Sequence, residues 1–398
     1  MFARFASVVV VSALALHASA QSTWHVDALA TPPFTGSAAQ PFASIESAIN
    51  SPLTQAGDRV LVAPGVYPGF VCAKRLTIES SGGPTVTAIE PTQAAWTVRF
   101  VPGGDAATLR GFTLWGPAGG DAVKGYDTKV ERCILLGLGV AQDSVDACGG
   151  GWMTNCWVSG FERGINGDGH CGVGVKNSIL WANDFDVVYD VEYSCFGTVS
   201  PFVFTWASVH ADPLVHDFKG HDFHLRPGSP CIDAGDPTSP LDPDGTRADM
   251  GPLPFDPNYD PYVGYCTAQV TSQGCTPSIS AIGTPSVTSP RPFWLRCANQ
   301  APQTSGLLFY GYAPASVAYQ GGFLCVAPPT RRTALLNSGG GTAACSGVLA
   351  YDFTPRIHSG VDPLLSLGRD VHFQFWSRDP LANSGANRSD ALRVRIAP

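Results

Sequence analysis

The sequence predicts an all-β protein in which a parallel β-solenoid is followed by a small antiparallel β-sandwich. Three observations predict it. Four short apolar segments recur: LRGFTLW from Leu109, VERCILL from Val130, MTNCWVS from Met153 and VKNSILW from Val175, with starts 21, 23 and 22 residues apart. A weaker copy, VEYSC, begins at Val191. That period is too short for a strand–helix–strand unit and too regular for a sandwich, but it suits one coil of a solenoid, which buries its apolar face only by stacking. The second observation is compositional: 44 Gly and 33 Pro with only 14% charged residues fit many short strands and tight turns. The third is that from about residue 265 the strand candidates alternate instead of repeating. At the end of the chain, Leu392, Val394 and Ile396 alternate with Arg393 and Arg395, the pattern of a sheet with one wet face.

Taken in order, residues 1–20 read as a signal peptide. Arg4 supplies the positive end, Ser7 to Leu16 the apolar stretch, and Ala18-Ser19-Ala20 the cleavage site. The expected location is therefore outside the cell or on its surface, and no later stretch is apolar enough to span a bilayer. Removing the leader takes away one basic and no acidic residue, so the net charge moves from −8 to −9. That balance disfavours nucleic acid and anionic membrane as partners.

TWHVD from Thr23 reads as a strand. SIESAI, Ser44 to Ile49, places Ile45, Ala48 and Ile49 on one face of a short helix capped by Ser44, suited to cover the open end of a solenoid. RVLVAPGVY from Arg59, KRLTIES from Lys74, PTVTAIE from Pro84 and WTVRFVP from Trp96 read as strands. Within the repeat, Asn155 and Asn177 fall at equivalent positions, where a ladder of amide hydrogen bonds is expected. After Asp190 the repeat degrades. The Pro- and Asp-rich run from Leu241 reads as the exit from the solenoid, and strand candidates at SGLLFYGYAP, GGFLCVAPP, HFQFWSRDP and DALRVRIAP form the second domain, residues 265–398.

QPFASIESAI, GDRVLVAPGVYPGFV and RLTIESSGG resemble the opening of secreted right-handed parallel β-helix proteins of the pectate-lyase-like superfamily. DPLVHDFKGHDFHLRPGSPCIDAGDP, Asp212 to Pro237, resembles their last turn. The resemblance covers about residues 23–255 and implies a right-handed parallel β-helix. It implies little about activity, since this architecture hosts lyases, hydrolases, epimerases, adhesins and non-catalytic modules. Residues 265–398 resemble a carboxy-terminal module of large exported proteins of planctomycete-type bacteria.

All twelve cysteines follow the leader, in keeping with an oxidising compartment. Cys133 and Cys156 are 23 residues apart, as are Cys148 and Cys171, so each pair is expected to face across adjacent coils, either bonded or stacked as buried thiols. Cys266 with Cys275 and Cys325 with Cys345 are the expected disulfides of the second domain, leaving Cys297 over.

Catalytic signatures of the lyases and hydrolases of this fold are absent in recognisable form. The nearest approach is a polar patch of Asp146, Glu162, Asp168, His170, Asp184, Asp186 and Asp190, with Arg163 and Lys176 beside it. Asp146 and Asp168 are 22 apart, as are Glu162 and Asp184. Stacked like charges at that spacing raise a pKa or bind a cation; the alternative is that they cap turn amides. Asp242, Asp244 and Asp249 around Gly245 have the spacing of an abbreviated Ca²⁺ loop or of a capped turn. His216, His221 and His224 with Asp217 and Asp222 lack a strong zinc spacing, and His224 reads as an exposed strand residue. Trp115, Trp152, Trp157 and Trp181 lie on or beside the repeat, and Trp294, Trp376, Tyr310 and Tyr312 in the second domain; exposed, such rings stack on sugars, and buried, they fill the core. The expected function is a secreted, non-catalytic surface or carbohydrate-contacting protein whose partner is an extracellular polysaccharide or cell-surface component. The alternatives are a polysaccharide lyase or glycoside hydrolase, and a purely structural or attachment protein.

Overall fold

Each apolar segment of the repeat is a corner between two strands. In the computed structural model, which describes residues 21–397 apart from 149–150, 166–172, 188–189, 200–202 and 260, LRGFTLW contributes the strands Thr108–Arg110 and Thr113–Gly116, and VERCILL contributes Lys129–Glu131 and Ile134–Asp143. Between the two strands of every coil sits one residue with positive φ: Gly111, Arg132, Asn155, Asn177 and Tyr193. The left-handed conformation is cheapest for Gly and then Asn, which explains those residue types in the repeat. Ala207 occupies the same place in a further coil, Thr205–Trp206 and Val209–His210, so the solenoid continues one rung past the point where its sequence repeat fades.

Among the described residues the strands stack into three parallel sheets. The first has nine strands from Thr23–Val26 to Thr205–Trp206, the second eight from Gly65–Pro68 to Val209–His210, and the third four from Phe70–Cys72 to Val145–Cys148. The fold is the expected parallel β-helix followed by antiparallel sheets. Inside it, one column of the first sheet runs Val60, Ile78, Leu109, Val130, Met153, Val175 and Val191, all buried. RVLVAPGVY, read as one strand, is two, Arg59–Val62 and Gly65–Pro68, separated by a corner.

The helix Ile45–Asn50 closes the amino-terminal end, with the Ser44 side chain accepting from Ser47 N and Ile45, Ala48 and Ile49 buried. Its carboxy-terminal carbonyls are held from outside: Lys74 Nζ donates to Ile49 O, Ser51 O and Thr54 O at 2.7, 3.0 and 2.9 Å.

Period-two alternation gives the second sheet two apolar sides. Leu114, Leu135, Val158, Leu180 and Phe196 face the helix interior, while Trp115, Ile134, Leu136, Trp157, Ile179 and Cys195 face outward. The segment 209–255 returns along the molecule and covers that outer side with Val215, Phe223, Leu225, Cys231 and Met250. Trp157 is fully buried and stacks on Phe223, centroids 4.3 Å apart. The expected asparagine ladder is replaced by anchors for this segment. Asn155 Nδ2 donates to Asp249 O and Gly251 O (3.1 and 3.3 Å), and Asn177 accepts from Asp236 N (2.7 Å) and donates to Ser239 Oγ (3.0 Å). The two asparagines sit on adjacent rungs, but the segment takes up both side-chain amides, and the rungs on either side carry Arg132 and Tyr193.

Two antiparallel sheets follow. One is ordered Tyr262–Tyr265, Ala386–Arg395, Asp370–Arg378, Ser305–Gly311 and Arg331–Arg332; the other is Ser278–Ile282, Trp294–Gln300 and Gly347–Asp352. They share a core of Phe293, Leu295, Tyr310, Leu349, Phe353 and Phe373.

The cysteine pairing differs from expectation in the two disulfides of the second domain. Cys266 bonds Cys325 and Cys275 bonds Cys345. A turn in which Thr271 N donates to Cys275 O separates the near neighbours Cys266 and Cys275, and Tyr265 OH donates to Cys325 O, which brings the hairpin strand to Cys266. Cys133 and Cys156 are free thiols, both buried. Equivalent side chains on in-register parallel strands point the same way, and each thiol contacts a carbonyl near its own strand, Cys133 that of Glu131 and Cys156 that of Thr154. Cys297 is also free and buried. The pair Cys148 and Cys171 lies outside the described side chains.

Candidate functional site

The polar patch read from the sequence is spread over different faces. On the third sheet Asp146 accepts from Lys124 Nζ at 2.7 Å, and Lys124 also reaches Asp121 at 3.2 Å. The hydrogen bond that Lys124 donates to Asp146 leads in raising the Lys124 pKa, and burial raises that of Asp121. Glu162 and Arg163 lie at the end of a second-sheet strand, 3.7 Å from each other. Asp186 is buried and accepts from Asn183 N, Asn183 Nδ2, Gly197 N and Thr198 N, which makes it a loop clamp. Asp184 is exposed, and Asp190 accepts from Phe204 N. Lys176 is on the first sheet, bonded to Asp236 (2.9 Å) and Glu192 (3.3 Å). Asp168 and His170 lie outside the described residues.

The three aspartates of the suggested Ca²⁺ loop serve backbone amides. Asp242 accepts from Asp249 N, Asp249 from Asp233 N and Phe255 N, and Asp244 from Thr246 N. Among the described residues no group of three or more His, Cys, Asp or Glu is placed to hold a metal ion. His224 is half-buried, not exposed as its strand register suggested. Its Nδ1 is 2.7 Å from Asp222, its ring stacks on Tyr259 at 3.6 Å, and Tyr259 OH donates to the same Asp222. His216 packs edge-on against Tyr259, whereas His221 packs against Trp115 and Phe223. His221, Asp222, Phe223, His224 and Tyr259 line a cavity of about 370 Å³ that Arg395, bonded to Asp370, also lines. Its charged groups are paired on their own sides, His224 with Asp222 and Arg393 and Arg395 with Asp370.

The outer side of the first sheet is different. One outward column runs Arg59, Thr77, Thr108, Lys129, Trp152 and Gly174; the next runs Glu79, Arg110, Glu131, Thr154, Lys176, Glu192 and Trp206. Arg59 pairs with Glu79, and Arg110 forks onto Glu131 at 2.8 and 2.6 Å. Lys129 is exposed, and among the described residues no carboxylate pairs with it.

Trp152 is 45% exposed beside it. A Cβ placed on Gly174 would lie 2.7, 2.8 and 3.0 Å from three atoms of the six-membered ring. The indole therefore lies flat over the Gly174 backbone with its other face open. Trp206, 71% exposed, closes the second column three rungs further on, about 14 Å along the axis at the strand spacing. Of the other repeat tryptophans, Trp115 and Trp157 are buried and Trp181 is half-buried under the segment 209–255. Sequence reading overlooked Lys129 and Trp206. The available signal was position, because the residue before each left-handed corner (Arg110, Glu131, Thr154, Lys176, Glu192, Trp206) always faces outward.

No known protein-family model matches the chain, and no curated protein matches it. Among solved structures it is similar to a pectate lyase, Pel9A, at 11% identity and a TM-score of 0.27 over 60% of this chain and 97% of that one. The strand register, not that likeness, establishes the parallel β-helix.

Proposed function

We propose that the protein is a secreted, non-catalytic β-helix protein that contacts carbohydrate through the outer side of its first sheet. The observation that carries this reading is the Trp152 indole laid over Gly174 with its outer face open. A flat π surface beside polar groups suits a sugar ring, whose C–H face packs on the indole while hydroxyls meet Thr154, Lys176 and Glu192. A rigid sheet presents such a platform without ordering cost. The leader and the acidic balance support an extracellular polysaccharide or cell-surface component as the partner.

A lyase or hydrolase needs a base and a charge-stabilising group converging on one bond. The carboxylates at Asp146 and Asp186 are already bonded to a lysine and to loop amides, which weighs against that alternative. A glycan-array screen of the full chain, combined with an absorbance assay for unsaturated product on acidic polysaccharides, separates the readings. Binding without product is expected; product release would replace the proposal by the lyase reading, and neither signal would leave a structural role.

A further inference from the structure

We propose that a cluster of three guanidinium groups on the carboxy-terminal sandwich is a binding site for oxyanions, sulfate or carboxylate, displayed on a polymer. The cluster is built around Asp362, which is buried and accepts from Tyr310 OH at 2.8 Å, Tyr312 OH at 2.6 Å and Arg331 Nε at 2.6 Å. The two tyrosine rings stand at right angles, centroids 6.2 Å apart. Arg331 and Arg369 each lie over the Tyr312 ring, at 5.2 and 5.1 Å, and Arg356 lies over Tyr310 at 5.9 Å with Nε donating to the Tyr310 hydroxyl at 3.1 Å.

The charge count points to a ligand. One buried carboxylate requires one cation, and Arg331 supplies it. Arg356 and Arg369 are surplus: among the described residues no carboxylate lies within ion-pair distance of either, in a chain that is net negative overall. Both reach solvent, Arg369 being exposed and Arg356 half-buried. Arg356 spends its Nε–H on the Tyr310 hydroxyl, while the Arg369 side chain has no hydrogen-bond acceptor among the described residues; a free guanidinium edge forks onto a carboxylate or sulfate through two parallel hydrogen bonds. Packing alone does not call for two further cations here, since like charges repel and aliphatic or polar side chains would cover the rings at no electrostatic cost.

The site is separate from the Trp152 face and does not depend on it. The test is retention of the full chain on immobilised dextran sulfate, carboxymethyl-dextran and neutral dextran. Wild type is expected to bind one or both charged polymers, which identifies the anion, and to leave the neutral one. Arg369→Ala should weaken that binding about tenfold or more, and Arg369→Lys should restore only part of it, because an ammonium does not fork. Arg226→Ala, which removes the same charge from an exposed position outside the sandwich, should change nothing. If Arg369→Ala shifts the melting transition, Arg356→Gln is read in the same way. No binding to either charged polymer, or equal losses in Arg226→Ala and Arg369→Ala, would overturn the proposal.

Discussion

Asp236 shows how single carboxylates are used in this molecule. Its oxygens accept from Thr238 N, Thr238 Oγ1 and Lys176 Nζ, each at 2.9 Å. The Thr238 amide, followed by the Lys176 ammonium, holds its pKa at about 2, below the ordinary 3.8. A carboxyl depressed on folding adds stability that is complete above the unfolded value and lost as pH falls towards the folded one. Asp236→Asn should therefore be less stable than wild type near neutrality, with the gap closing between about pH 4 and about pH 2. Urea unfolding across that range checks this, and a gap independent of pH would refute it. The same habit explains why Asp186, Asp242 and Asp249 were ambiguous as sequence: an Asp that caps a corner and an Asp that binds a cation look alike until the donors around it are placed.

At the scale of elements, the amino-terminal end of the β-helix is closed by a short helix. The amino-terminal helix depends on Lys74, whose ammonium meets three carbonyls at its carboxy-terminal end. Lys74→Met leaves those acceptors without a charged donor and should cost about 2–3 kcal/mol, read as a lower unfolding midpoint. An unchanged midpoint would mean that water replaces the lysine. The cysteines test the stacking geometry. Peptide mapping without reduction should recover Cys266–Cys325 and Cys275–Cys345 as crosslinked pairs, with Cys133 and Cys156 alkylated only after denaturation. A Cys133–Cys156 crosslink would contradict the parallel orientation of those side chains. The coil repeat was legible because an inward Val, Leu or Met must recur on every rung. The covering segment 209–255 was not legible as a covering, because it has no repeat and its apolar residues serve an outer surface created by the fold itself. Disulfide partners in the sandwich were misread for a related reason: nearness in sequence does not survive a turn such as Thr271 to Cys275.

For the whole molecule, the solenoid is scaffold, and the contacts that distinguish it lie on surfaces the scaffold holds flat. The β-helix and the sandwich were both readable from periodicity, 22 residues in one and two in the other. The candidate site was readable only in part. Trp152 was recognised as a ring that is either buried or exposed, and burial separates it from Trp115 and Trp157. Its partnership with Gly174 was hidden, since only register places a residue of one coil under a side chain of the previous one. The central claim is that this platform binds sugar without chemistry. It is tested most directly by calorimetric titration of wild type and Trp152→Ala with a glycan identified on the array, while following product release. The account predicts binding by wild type, loss of about tenfold or more in Trp152→Ala with the melting transition unchanged, and no product from either. Equal affinity in both proteins, or product that accumulates with time, would contradict it.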